Sequence, residues 1–186
     1  MFAPKGSYLE KLYLEAEKLT ENEIKSFLKS YLDMRGMNYS MLLLVSEDDL
    51  NYKPKGGRKR AITLRDLFSE LPRVVASFVR GYKSGKRKFG GGHDVLPEKP
   101  TKKQILSAME KTDSELFELI TADKFNANKE IPFIGKDGKE KFTSKAIWML
   151  WGIRNHENMH LGFIRRDFDG LDLDPSVEYV RYWFGG

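Results

Sequence analysis

The chain has 186 residues, a formal net charge of +5, and 40% apolar residues. That length fits one domain spanning 1–186 with a core of useful size, and that apolar share excludes a disordered polymer. There is no cysteine, which removes disulfides, thiol nucleophiles and thiolate metal ligands, so a metal site has to use histidine, carboxylate and water.

The N-terminal stretch MFAPKGSYLEKLYLEAEKL is amphipathic and turns acidic quickly. It lacks the uninterrupted apolar core of a signal peptide. The spacing predicts helix over about 8–34, with a break near Thr20, where Thr20 and Glu23 have the pattern of a capping box. Leu28, Tyr31 and Leu32 fall on one apolar stripe. NYSMLLLV at 38–45 fits either a continued helix or a short strand. Its MLLLV is the longest apolar run, far short of a membrane span, so the expectation is a soluble, cytoplasmic protein.

A connector follows, punctuated by Pro54 and Gly56–Gly57. Thr63, with Asp66 three residues on, predicts the start of a helix reaching Tyr82. Leu64, Leu67, Leu71, Val74, Val75 and Phe78 give it a broad apolar face, and Pro72 is expected to kink it or restart it near Ser69. Glycine and lysine fill 81–103 and read as loop. Thr101 opens another helix, with Ile105, Leu106, Met109, Leu116, Leu119 and Ile120 in helical phase. Residues 126–143 read as a loop with a short extended piece at IPFI. The last long helix is expected over 144–168. Tyr179, Tyr182, Trp183 and Phe184 make an aromatic tail, suited to packing on the body or to a homodimer contact. Several amphipathic helices with few strand signals predict an all-α bundle.

Basic residues cluster at 53–60, 82–93 and 98–103. Such clusters attract phosphate backbones, but no aromatics are interleaved as on a base-stacking surface. Weak, salt-sensitive and nonspecific nucleic-acid contact is the expectation, alongside the plainer reading of solvated lysines.

HENMH, 156–160, holds two of the three histidines. On a helix, His156 and His160 stand about 40° apart on one face, which Met149, Ile153, Phe163 and Asp167 share. An inward pair needs hydrogen-bond partners or a metal, and imidazoles at i and i+4 can reach one ion. Glu157 lies about 100° round the helix from His156. The letters match the zincin His-Glu-x-x-His, but no histidine follows as a third ligand and no sheet edge is evident to align a peptide. Two stacked core histidines remain the plainer reading. Asn38, Tyr39 and Arg154 are polar residues that could line the same interior. His93, in FGGGHD, is mobile beside three glycines and reads as exposed, or as a further ligand folded over the bundle mouth.

HENMHLGFI, 156–164, together with 45–71, resembles the DinB-like, YfiT-like superfamily of metal-dependent four-helix bundles. The resemblance covers roughly 20–167. It keeps both histidines and Gly162, with Phe163 where glutamine is frequent, and FSEL where leucine–alanine–histidine–isoleucine is frequent. The family's first ligand histidine then corresponds to Glu70, a carboxylate that can bind the same metals. The resemblance implies an up-down-down-up four-helix bundle with an extra N-terminal helical segment and a short tail. It implies one zinc, nickel, iron or manganese ion on His156, His160 and Glu70, pairing of chains into a homodimer, and a hydrolase or a thiol-dependent transferase acting on a small molecule. The other class left open is a non-catalytic bundle that binds nucleic acid or protein through its basic loops.

Overall fold

The structure, a computed structural model, describes residues 5–20, 22–54 and 62–174. The aromatic tail and most of the 53–60 basic cluster lie outside the described residues. Among the described residues five α-helices run in chain order: α1 Tyr8–Glu17, α2 Glu23–Leu44, α3 Leu64–Ser84, α4 Lys102–Thr121 and α5 Ala146–Gly170. Three short strands join them, β1 Arg87–Lys88, β2 Glu130–Ile134 and β3 Glu140–Lys145. The chain is thus mostly helical with a small sheet.

Most helix starts follow from local chemistry. Capping boxes open α3, with Thr63 and Asp66, and α4, with Thr101 and Gln104. Ser7 caps α1. The break expected near Thr20 is present, but Asn22 rather than Thr20 caps α2, its Oδ1 accepting from the Lys25 backbone N–H at 3.0 Å. Lys25 Nζ then donates to the carbonyls of Glu17 and Leu19, closing off groups that the end of α1 leaves open. The ambiguous 38–45 stretch is helix, the end of α2.

Two expectations need correction. α3 runs unbroken through Pro72 and does not restart near Ser69. Proline removes one backbone donor, but Leu71, Pro72 and Val75 are buried, and that packing holds the helix where propensity disfavours it. The all-α expectation also missed the sheet. β1 lies parallel to β2, with Arg87 opposite Phe133, and β2 pairs antiparallel with β3. Only the IPFI piece was legible, because β1 has two residues and the six of β3 are almost wholly exposed, leaving no alternation to read.

α2 packs on α5, α3 packs on both α4 and α5, and α1 lies against α2. The apolar side chains form two clusters. One gathers Leu9, Phe27, Phe78, Leu116 and Leu150; the other gathers Leu42, Leu67, Phe68, Met109 and Phe168. Along α2, α4 and α5 a set of buried polar residues lies between these clusters: Arg35, Asn38, Asp113, Glu157 and His160. No helix of the described residues is long and apolar enough to cross a membrane.

Gly92 sits where a Cβ would stand 1.9 Å from the Arg73 backbone oxygen, so a side chain there must push two segments apart. Gly152, in α5, has nothing within 4 Å of the same position. Gly92→Ala is expected to cost about 1–3 kcal/mol by overpacking. Gly152→Ala is expected to stabilise by about 0.5–1 kcal/mol through helix propensity. Denaturant melts of the two variants check both signs.

Candidate functional site

His156 and His160 stand on one face of α5, as the spacing requires, with ring centroids 4.2 Å apart and planes inclined by 36°. His160 is buried and His156 half-buried. His160 Nδ1 lies 3.0 Å from the carbonyl oxygen of Leu67 on α3. A carbonyl oxygen only accepts, so Nδ1 carries the proton and donates. The lone pair is then on Nε2. His156 Nδ1 is buried with no hydrogen-bond partner. Burial, with the charges of His160 and of Arg35 and Arg87, lowers the His156 pKa from 6.5 to about 3. Burial and Arg35 lower that of His160 to about 4, against the opposing pull of the Leu67 contact. Both rings are therefore neutral at physiological pH. Phe163 meets His160 edge-on at 6.3 Å.

On the α2 side of α5 lies a buried ionic network that the sequence reading missed. The Arg35 guanidinium, fully buried, has Nε 3.2 Å from Asp113 Oδ2 and Nη2 3.3 Å from Glu157 Oε1. Tyr31 Oη accepts from Arg35 Nη2 at 2.7 Å and donates to Asp113 Oδ1 at 2.6 Å. Tyr8, from α1, donates to Asp113 Oδ2 at 2.8 Å. Asn38 Nδ2 donates to Glu157 Oε2 at 2.9 Å. One guanidinium thus faces two carboxylates. Asp113 takes both tyrosine hydroxyls as well as Arg35. Burial pushes the Glu157 pKa up from 4.5 to about 7, against the lowering effect of Arg35. Glu157 is accordingly a carboxylate that holds a proton part of the time near neutral pH; burial raises the Asp113 pKa as well, against Arg35 and the two tyrosines. Arg35 Nη1 and Asn38 Oδ1 are buried in the same layer without hydrogen-bond partners.

The other candidates are placed as follows. Glu70 lies on α3 three residues beyond Leu67, half-buried, with Oε1 3.5 Å from Arg73 Nη1. Among the described residues no three His, Cys, Asp or Glu side chains are gathered so as to hold a metal ion. Two of the three expected ligands therefore stand together, and the carboxylate is turned to Arg73. His93 is exposed, on a short 3-10 turn over 93–95. Asp167 is buried on α5 and paired with Arg166 at 2.6 Å. Of the polar candidates, Asn38 joins the network. Arg154 donates to Ser30 Oγ at 2.9 Å, and Tyr39 packs edge-on to Tyr8 at 5.6 Å.

No family model and no curated protein sequence matches this chain. The site has to be read from its own geometry.

Removing one member of a buried ion pair leaves an uncompensated charge, so Arg35→Met is expected to cost about 3–5 kcal/mol in denaturant melts. Adding Asp113→Asn to it is expected to cost less than the sum of the two single changes, because the stranded charge goes too.

The histidines and Glu157 tilt the pH dependence in opposite senses. Folded histidines with pKa values near 3 and 4 bind fewer protons than unfolded ones at 6.5, so their share of stability falls as pH drops from 6.5 to about 3. Glu157 binds more protons folded than unfolded between 4.5 and about 7, so its share falls as pH rises through that window. In chelator-treated protein, His160→Gln is expected to flatten the acid limb of a stability–pH curve. Glu157→Gln is expected to flatten the fall toward neutral pH.

Proposed function

We propose that this chain is a metal-dependent enzyme of the DinB-like type, with His156 and His160 as the nitrogen ligands and Glu70 as the carboxylate. One observation carries the reading: His160 Nδ1 donates to the Leu67 carbonyl and so leaves Nε2 unprotonated beside a second neutral imidazole. Ligand histidines are oriented by such a hydrogen bond from the other ring nitrogen. The unpartnered buried nitrogen of His156 fits the same purpose, since orphaned polar atoms in a core call for an ion or a water. Two stacked core histidines would also use the Leu67 bond, but they would leave the buried His156 nitrogen unpaired.

The finer fold reading belongs here too. α2, α3, α4 and α5 are taken as the up-down-down-up bundle, with α1 as the added N-terminal segment. Glu70 would complete the ligand set by giving up Arg73, with which it now pairs. Bound there, a zinc, nickel, iron or manganese ion supplies Lewis acidity, making a water or a substrate thiol acidic near neutral pH. The chain has no cysteine, so in a transfer reaction the thiol comes with the substrate. The residues' own part is to keep both rings neutral by burial and to fix the His160 tautomer through Leu67.

Elemental analysis after native purification tests this. About one divalent ion per chain is expected, and His156→Ala or His160→Ala should lower metal affinity about tenfold or more. Glu70→Ala should weaken it less, and Glu157→Gln should leave it in place. A preparation that stays metal-poor after reconstitution ends the reading.

A further inference from the structure

Arg87 is the first residue of β1, and the structure holds it from several sides. Its backbone pairs with β2 opposite Phe133. Its guanidinium lies over the Phe133 ring, 5.9 Å from the centroid. Its Nε donates to Ser77 Oγ on α3 at 3.2 Å. Its stem crosses Gly81, where a Cβ would come within 2.9 Å of Arg87 Cβ. Glycine at 81 is what lets the strand lie this close to α3.

This well-held cation meets no carboxylate among the described residues. The contrast with its neighbours in the chain is sharp: Arg35 has Asp113 and Glu157, Arg65 has Glu47, and Arg73 has Glu70. Nor do its terminal nitrogens make a hydrogen bond within the described residues; the contact through Nε uses only one edge of the group. Withdrawal from water lowers the Arg87 pKa, with no opposing counter-charge. Phe133 and Phe142, stacked 5.1 Å apart, continue the wall away from it.

We infer that Arg87 is the anchor for the anionic group of a small ligand, a carboxylate or a phosphate, bound where β1 and β2 meet α3. A planar guanidinium with one edge tied back to Ser77 presents its Nη atoms as a fork, which matches two oxygens of either anion. The ring stack beside it takes the apolar body of the ligand. This goes beyond the proposed enzyme reading and does not rest on it. The anion contact itself needs no metal.

Calorimetric titration of inorganic phosphate and of succinate into metal-stripped and metal-loaded protein tests the inference, with the two probes separating the two anion chemistries. At least one probe is expected to bind wild type. Arg87→Gln should weaken that binding about tenfold or more, as loss of a charge-assisted pair implies. Arg87→Lys should weaken it less, and Arg80→Gln, on the exposed pair with Asp94, should not change it. In labelled wild-type protein the Arg87 Nε–Hε resonance should move on addition of the bound probe while that of Arg80 stays, a readout that does not depend on any variant folding. Absence of binding by both probes, equal affinity in Arg87→Gln, or an unmoved Arg87 resonance overturns the inference. Metal content on the same preparations reports separately. Protein that binds a probe through Arg87 and never takes up metal upholds the anion site and retires the metal reading. Metal-loaded protein blind to both probes does the reverse.

Discussion

A guanidinium cannot be taken out of water unless opposite charge and hydrogen-bond acceptors come with it, and Arg35 is taken out completely. Its counter-charges come from two other helices, Asp113 on α4 and Glu157 on α5, and a third helix supplies the Leu71 carbonyl at 3.4 Å. Apolar side chains tolerate small slips along a helix pair, because one methyl contact substitutes for another. A buried charge does not, since displacement by one turn strands it. The polar layer therefore sets the register of α2, α4 and α5, and the apolar clusters on either side fill the space that this register leaves. Tyr8 extends the same constraint to α1.

The histidine pair stands at the edge of that layer and takes its character from it. Both rings lose water, and both feel Arg35, so protonation is disfavoured twice over. Neighbouring imidazoles that stay neutral well below physiological pH are available as lone-pair donors. Glu157, one residue from His156, belongs to the other side of α5 and is spoken for by Asn38 and Arg35. The two halves of the HENMH motif thus have separate duties. His160, with His156 stacked on it, is turned to Leu67 of α3, and the glutamate between them holds the core together.

How much of this could be read from the chain depended on whether the information was local. Thr63 with Asp66, and Thr101 with the turn after it, announce helices because a cap and its partner lie three residues apart. His156 and His160 were placed together for the same reason. Arg35, Asp113 and Glu157 were not, although each stands in phase with an apolar stripe: Arg35 after Leu28 and Tyr31, Asp113 between Met109 and Leu116, Glu157 between Ile153 and Ile164. A charge at a core position is intelligible only when its partners are known, and these partners are contributed by different helices. Glu70 shows the limit from the other side. Its place on α3 beside Leu67 follows from the sequence, whereas the direction of its carboxylate is decided by Arg73 one turn on. The sheet escaped for want of length, and Arg87 escaped with it.

The parallel contact of β1 with β2 has the whole of α4 between its two strands. A pairing of that kind closes a long loop of chain, and the entropy lost in closing it is recovered by only a few residues of ladder. So short a ladder between distant segments has little to hold it beyond its packing on α3, which puts it among the contacts expected to open below the free energy of global unfolding. Opening of the strand pair unseats one side chain above all, Arg87, while leaving the Arg35 layer intact. Such an opening is a sub-global motion that costs less free energy than unfolding, and it moves Arg87 while the helices stay packed.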